Sequence, residues 1–105
     1  MNPLLGLLGL ATRAGALVAG TEAVRSEVRD GKVECVLLAS DAAAGQRSKL
    51  IPLLEARGIR HYTGFSRAEL GRAMGRAPTS AVGVKNAGFA RRVQELAAGT
   101  SLSQH

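Results

Sequence analysis

The run Val36-Leu37-Leu38-Ala39 offers no polar side chain to either face of a strand. A strand buried on both faces needs a layer on each side of its sheet, and this tetrapeptide suits such a central strand, covered on both faces. The surrounding pattern supplies the layers. Helical and extended segments alternate from Thr21 to Ala98, which reads as an α/β/α sandwich. Only three side chains are aromatic (Tyr62, Phe65, Phe89), so the core has to be built from Leu, Val and Ala.

Punctuation sets the elements. Residues 4–13 read as a helix ended by Gly15, and Leu17-Val18 as a short extended piece. Gly20-Thr21 stops and restarts the chain, with Thr21 as expected N-cap and Glu22 in the positive first turn of a helix reaching about Asp30. Val24 and Val28 face inward, and Gly31 closes the helix. A strand covers 33–39. A helix over 46–57 buries Leu50, Ile51, Leu53 and Leu54, and Pro52 either kinks it or delays its start. Gly58 ends it, and 59–63 form a strand. Ser66-Arg67-Ala68-Glu69 fits a capping box, opening a helix that stops at Gly75. After the loop Ala77-Pro78-Thr79 come a strand over 80–85 and a helix capped by Asn86, with Phe89, Val93 and Leu96 inward. The expectation is a small mixed four-stranded sheet, one domain over 1–98, and a frayed polar tail over 99–105.

Charge is unevenly placed. The chain carries 14 basic and 8 acidic residues, a net of +6, which favours a polyanionic partner. Residues 1–58 hold seven basic against six acidic side chains, and residues 59–105 seven against two. Eleven of the cations are Arg, whose planar fork matches phosphate. The plainer reading is a genome that writes Arg wherever a cation is tolerated.

The catalytic inventory is poor. His105 sits in the tail, and His61 reads as a sheet-surface histidine. No nucleophile elbow, phosphate-binding loop or dinucleotide fingerprint occurs, and no cluster has metal-ligand spacing. Gly6-x-x-Gly9 and Gly71-x-x-x-Gly75 read as close helix packing. Cys35 lies in an apolar run, a buried small hydrophobe. The apolar segment Leu4 to Ala11 has no preceding cation and is too short to span a bilayer. The expectation is a cytoplasmic protein with no enzyme activity, cofactor, metal, membrane or small-molecule substrate.

The binding inventory is richer. Glu22, Arg25, Arg29 and Lys32 fall on one helical stripe bordered by Ser26. A helix N-terminus offers free N–H groups and a positive dipole to phosphate, and Glu22 can accept hydrogen bonds from base amines. The alternative is a solvated face on which Glu22 pairs with Arg25. Arg72 and Arg76 rim the loop Ala77-Pro78-Thr79-Ser80-Ala81, which can hold phosphates and receive an unstacked base. The alternative there is an ordinary connection. Scarce aromatics argue against base-stacking platforms and favour structured RNA over single strands.

Leu4-Leu5-Gly6-Leu7-Leu8-Gly9-Leu10-Ala11, Ala14-Gly15, Gly20, Val36-Leu37-Leu38-Ala39-Ser40-Asp41, Glu69-Leu70-Gly71-Arg72-Ala73-Met74-Gly75 and Gly88-Phe89-Ala90 together resemble the YlxQ-like bacterial branch of the ribosomal L-seven-Ae superfamily, over about residues 4–97. The resemblance implies an α/β/α sandwich that binds kink-turn RNA, a sharply bent internal loop flanked by tandem sheared G·A pairs. It implies a translation- or ribosome-associated setting, with the ribosome as a further candidate partner. In the superfamily the N-terminus of the second helix reads the G·A pairs, and a hydrophobic loop before the last strand covers a flipped-out nucleotide. Gly20, Thr21 and Glu22 match the glycine-led turn and its polar pair. Arg25, Ser26 and Arg29 match the backbone-facing part of the helix, with Lys32 beyond them. Arg76, Ala77, Pro78, Thr79, Ser80, Ala81 and Val82 occupy the place of the loop. Strong binders carry Asn-Glu where this chain has Glu22-Ala23, and lysine where it has Ser26. These departures motivate a second expectation, a protein-interaction module that docks on a ribosomal or translation-factor partner.

Overall fold

The computed structural model describes residues 2–100 and 102–104. Its chain order is α1 (Pro3–Arg13), β1 (Leu17–Ala19), α2 (Thr21–Arg29), β2 (Cys35–Leu38), α3 (Ala44–Arg57), β3 (Arg60–Thr63), α4 (Arg67–Ala73), β4 (Ala81–Val84), α5 (Ala87–Ala98) and β5 (Ser103–Gln104).

The strands form one sheet in the order β1-β4-β2-β3-β5. β2 and β3 run parallel, while β4 is antiparallel to both β1 and β2. All four residues of β2 are buried, as the unalternating run requires. Cys35 and Leu37 join a core cluster with Leu4, Leu7 and Leu8 of α1, Leu70 and Met74 of the α4 region, and Val93 of α5. Val36 and Leu38 join the opposite cluster with Val24 and Val28 of α2 and Leu50 and Leu54 of α3. The period-2 pleat thus sends alternate side chains into two separate aliphatic cores, and the molecule is a three-layer α/β/α sandwich. Truncating a buried leucine in either core to alanine costs on the order of 2–5 kcal/mol.

Caps follow the local sequence. Ser66 accepts from the Glu69 N–H at 3.1 Å, and Glu69 Oε1 accepts from the Ser66 N–H at 2.9 Å, so the capping box closes. Asn86 Oδ1 accepts from the Phe89 N–H at 3.0 Å and opens α5. Asn2 caps α1 in the same way. Gly9 and Gly71 are close-packing glycines, set against the carbonyls of Ala73 and Ala77, whereas Gly75 is not: it lies past the end of α4 at φ +70°, with no atom within 4 Å of an added Cβ, and makes the turn that follows the helix.

Other expectations of the fold change as well. The sheet has five strands, because Ser103–Gln104, read as frayed tail, pairs antiparallel with Tyr62 and Thr63. Ser101 and His105 lie outside the described residues. The third helix begins at Ala44 and runs through Pro52, so proline does not delay its start. Thr21 is the first helical residue of α2, not its cap; Gly20 takes that place, with φ +98°. His61 is buried beside Leu54 and Ile59, where α3 covers β3, and is no sheet-surface residue.

Candidate functional site

Topology gathers the candidates. β1, β2 and β3 point the same way, so α2, α3 and α4 all begin at one edge of the sheet, where β4 also starts. Backbone hydrogen bonds fasten the connections there. The Gly20 N–H donates to the Ala81 carbonyl at 2.9 Å, which ties the start of α2 to the segment entering β4. The Ala39 N–H donates to the Ser80 carbonyl and the Ser40 N–H to the Phe65 carbonyl, both at 2.8 Å. The Thr79 N–H reaches the Arg67 carbonyl at 3.0 Å. The glycine-led turn and the loop before β4, nearly 60 residues apart, therefore form one continuous rim.

Gly20 brings no side chain to cap α2, and no capping hydrogen bond is made there. The first intrahelical bond is from the Val24 N–H to the Gly20 carbonyl at 2.9 Å. The N–H groups of Thr21, Glu22 and Ala23 have no partner among the described residues. Such orphan donors, together with the helix dipole, favour an anion at this point. Glu22 stands in the same first turn, and both its oxygens are engaged. Lys49 Nζ of α3 lies 3.2 Å from Oε2, and Arg25 Nη1 lies 3.8 Å from Oε1. Ser26 is exposed one turn further on.

Sequence spacing overextends the stripe. α2 ends at Arg29, and Lys32 lies past the Gly31 turn, where its backbone N–H bonds the Glu27 carbonyl. Arg29 is exposed seven residues after Glu22, about 10 Å along the axis. The far end of α2 is closed by Arg57, whose guanidinium donates to the carbonyls of Val28 and Arg29.

The loop is also shorter than its sequence suggests. Arg76, Ala77 and Pro78 are exposed and Ser80 is half-buried. Thr79 is buried, its hydroxyl donating to the Ala77 carbonyl at 2.8 Å. Ala81 and Val82 are fully buried strand residues, so they support the loop from beneath and do not reach its surface. Gly71 sets the loop's position. A Cβ there would lie 2.2 Å from the Ala77 carbonyl oxygen, so only glycine lets the loop rest against α4. Arg72, Arg76, Ala77 and Pro78 border an open groove beside it.

Three contributors were not among the binding residues expected from the sequence. Lys49 comes from a different helix. Arg47 donates to the carbonyls of Ala39, Ser40 and Ala42 and fixes the β2–α3 turn. Asp41 accepts from the Arg67 N–H at 2.8 Å, with Arg67 Nε 3.7 Å from its second oxygen. That backbone bond, aided by the guanidinium, holds the Asp41 carboxyl below its usual range.

The rim is basic, partly dipolar and open, which suits a large anion better than a reaction. The described residues contain no His/Cys/Asp/Glu group able to hold a metal ion, and no helix long and apolar enough to cross a membrane. Burial pushes the Cys35 thiol up to about 12.

Comparison with known proteins agrees with this architecture. Residues 3–94 match the ribosomal protein L7Ae/L30e/S12e/Gadd45 family. The RNA-binding protein YlxQ of Enterococcus faecium is 32% identical over 95 residues, spanning 90% of this chain and 91% of its own. The RNA-binding protein YlxQ of Bacillus subtilis is 34% identical over 90 residues, spanning 86% and 90%. A Bacillus halodurans protein of unknown function superposes with a TM-score of 0.88 at 38% identity, covering 91% of this chain and 97% of its own. A Giardia lamblia 15.5kD RNA-binding protein does so at 0.76 and 26% identity, covering 91% and 82%.

Proposed function

The chain belongs to the ribosomal protein L7Ae/L30e/S12e/Gadd45 family, and on that premise we propose that it is a non-catalytic, cytoplasmic RNA-binding protein that recognises kink-turn or related structured RNA in a translation-associated setting. The observation that carries this reading is the single rim on which the uncapped start of α2 and the 76–80 loop are fastened together by the Gly20–Ala81 hydrogen bond. The similarity to proteins named for RNA binding supports the same partner.

In this reading a phosphate settles on the free N–H groups of Thr21, Glu22 and Ala23, and Glu22 accepts from base amines of the G·A pairs. Arg25, Ser26 and Arg29 follow the backbone along α2, with Lys32 at its outer limit. Arg76, Ala77, Pro78 and the exposed part of Ser80 take the flipped nucleotide over the buried support of Thr79, Ala81 and Val82. Binding the bent state more tightly than the open one shifts the RNA population toward the bend, so the protein acts through differential affinity.

The test is a titration into end-labelled kink-turn RNA without added Mg²⁺, following both affinity and bending. The control RNA carries Watson–Crick pairs in place of the G·A pairs. Tight binding with bending of the first RNA alone is expected. With roughly four to six phosphate contacts, affinity falls steeply with salt, and Arg25→Ala with Arg29→Ala flattens that dependence. Glu22→Ala reduces discrimination between the two RNAs. Equal, salt-labile binding to both RNAs refutes kink-turn recognition, and binding to neither leaves the protein-docking module as the reading.

A further inference from the structure

A second groove lies on the other face of the sandwich, between α1 and α4. Leu5, Gly6, Gly9, Arg13, Arg72 and Ala73 line it, with Glu69 at one side. Arg72 also borders the groove beside the 76–80 loop, so the two grooves share a wall. From the loop a line of guanidiniums runs Arg76, Arg72, Arg13. All three residues are exposed, and none of their side chains makes a hydrogen bond or ion pair with a described residue. The carboxylate on that side is already engaged, because Glu69 Oε1 accepts from the Ser66 N–H in the capping box. The floor is low where the helices cross, since a Cβ on Gly9 would stand 3.3 Å from the Ala73 carbonyl oxygen.

We propose that this α1–α4 groove is a second RNA contact, holding the phosphate backbone of a helical stem that leaves the bend on the loop side. The inference rests on the RNA-binding reading above and extends it to a face that reading does not use. Charge complementarity and continuity with the loop favour a nucleic-acid backbone here: the unpaired Arg13 and Arg72 line a shallow track floored by Gly6, Gly9 and Ala73, and Arg76 continues the positive charge from Arg72 to the loop. Arginine's fork suits phosphate oxygens on such a track.

The experiment compares kink-turn RNAs with minimal stems against RNAs in which either stem is lengthened by one helical turn. Lengthening one of the two should raise wild-type affinity severalfold and steepen the salt dependence. Arg13→Gln, at the exposed end of α1 and distant from the G·A reader, should abolish that gain while leaving binding to the minimal RNA unchanged. Each lost phosphate contact lowers the salt slope by roughly 0.7–0.9. Arg13→Lys should restore part of the gain, and matching thermal midpoints exclude a folding defect. If Arg13→Gln binds the lengthened RNAs with wild-type affinity and slope, the groove is not an RNA contact, although the α2 reader stands. If the wild-type protein binds none of the RNAs, the reading beneath the proposal fails with it.

Discussion

Gly71→Ala separates two opposite expectations for a single methyl group. Inside an exposed helix the change would stabilise the protein by about 1 kcal/mol through helix propensity. Gly71 is buried, however, and its added Cβ would meet the Ala77 carbonyl oxygen at 2.2 Å, the Ala77 carbonyl carbon at 2.7 Å and the Arg76 carbonyl oxygen at 2.9 Å. These are backbone atoms, so no rotamer change relieves the contact. The loop must retreat by about 1 Å to reach ordinary van der Waals separation. It is held against that movement by the Arg76 N–H on the Gly71 carbonyl at 2.9 Å and the Thr79 N–H on the Arg67 carbonyl at 3.0 Å. Overpacking costs about 1–3 kcal/mol, and with immobile backbone atoms at these distances the upper part of that range, about 2–3 kcal/mol, applies; less the propensity gain of about 1 kcal/mol, a net loss of about 1–2 kcal/mol remains. For a domain of this size the thermal midpoint falls by about 4–15 °C. Because the displaced segment is the 76–80 loop, affinity for kink-turn RNA drops by about tenfold, or 1.4 kcal/mol. Calorimetry or circular dichroism gives the first quantity and the RNA titration the second. A midpoint equal to or above wild type would show that the loop yields freely, and would refute the claim that α4 sets its position.

Gly20→Ala places a Cβ at φ +98°, with an expected loss of about 1–3 kcal/mol in a denaturant titration. Lys49→Ala removes the ammonium that orients the Glu22 carboxylate through Oε2 and should reduce discrimination between G·A and Watson–Crick RNAs in the wild-type background but not in the Glu22→Ala background, as a double-mutant cycle in binding will read. The Asp41 carboxyl is held below its ordinary 3.8, so its contribution to stability is present above that pH and is lost as pH falls through the depressed value. Asp41→Asn should therefore flatten the acid limb of the stability profile, and an unchanged limb refutes the assignment. The Cys35 thiol, buried and pushed up to about 12, should react with a thiol reagent only once denaturant unfolds the chain.

Local chemistry was legible where it acts locally. Ser66 with Glu69, Asn86 before Phe89 and the glycines at 15, 31 and 58 each mark a boundary with their own side chain or their lack of one. The unalternating β2 run foretold both layers. What escaped depends on neighbours distant in sequence. Ser103–Gln104 has no apolar pattern; it pairs with the open side of β3, and Leu102 seats where a Cβ on Gly64 would stand 2.2 Å from its Cδ2. His61 lies between the exposed Arg60 and the buried Tyr62, and only the packing of α3 over β3 buries it. Lys49 meets Glu22 because α2 packs on α3, a relation that no spacing within either helix reveals.

The same distinction explains which positions of the rim tolerate change. The strand directions bring three helix N-termini and the entry to β4 to one edge, whatever side chains stand there. A cation can therefore reach the start of α2 from its own turn, as Arg25 does, or from α3, as Lys49 does, and loss of a lysine at Ser26 need not strip the edge of positive charge. Glycine has no such substitute at Gly20, where the backbone turns through φ +98° while its N–H holds Ala81. Nor has it one at Gly71, where a carbonyl occupies the space of a Cβ. On the proposed reading, charged contacts can migrate around the rim while these two backbone positions cannot. Moving the cation of Arg25 to position 26, as Arg25→Ala with Ser26→Lys, should then cost less RNA affinity than Gly71→Ala, which alters no charge at all.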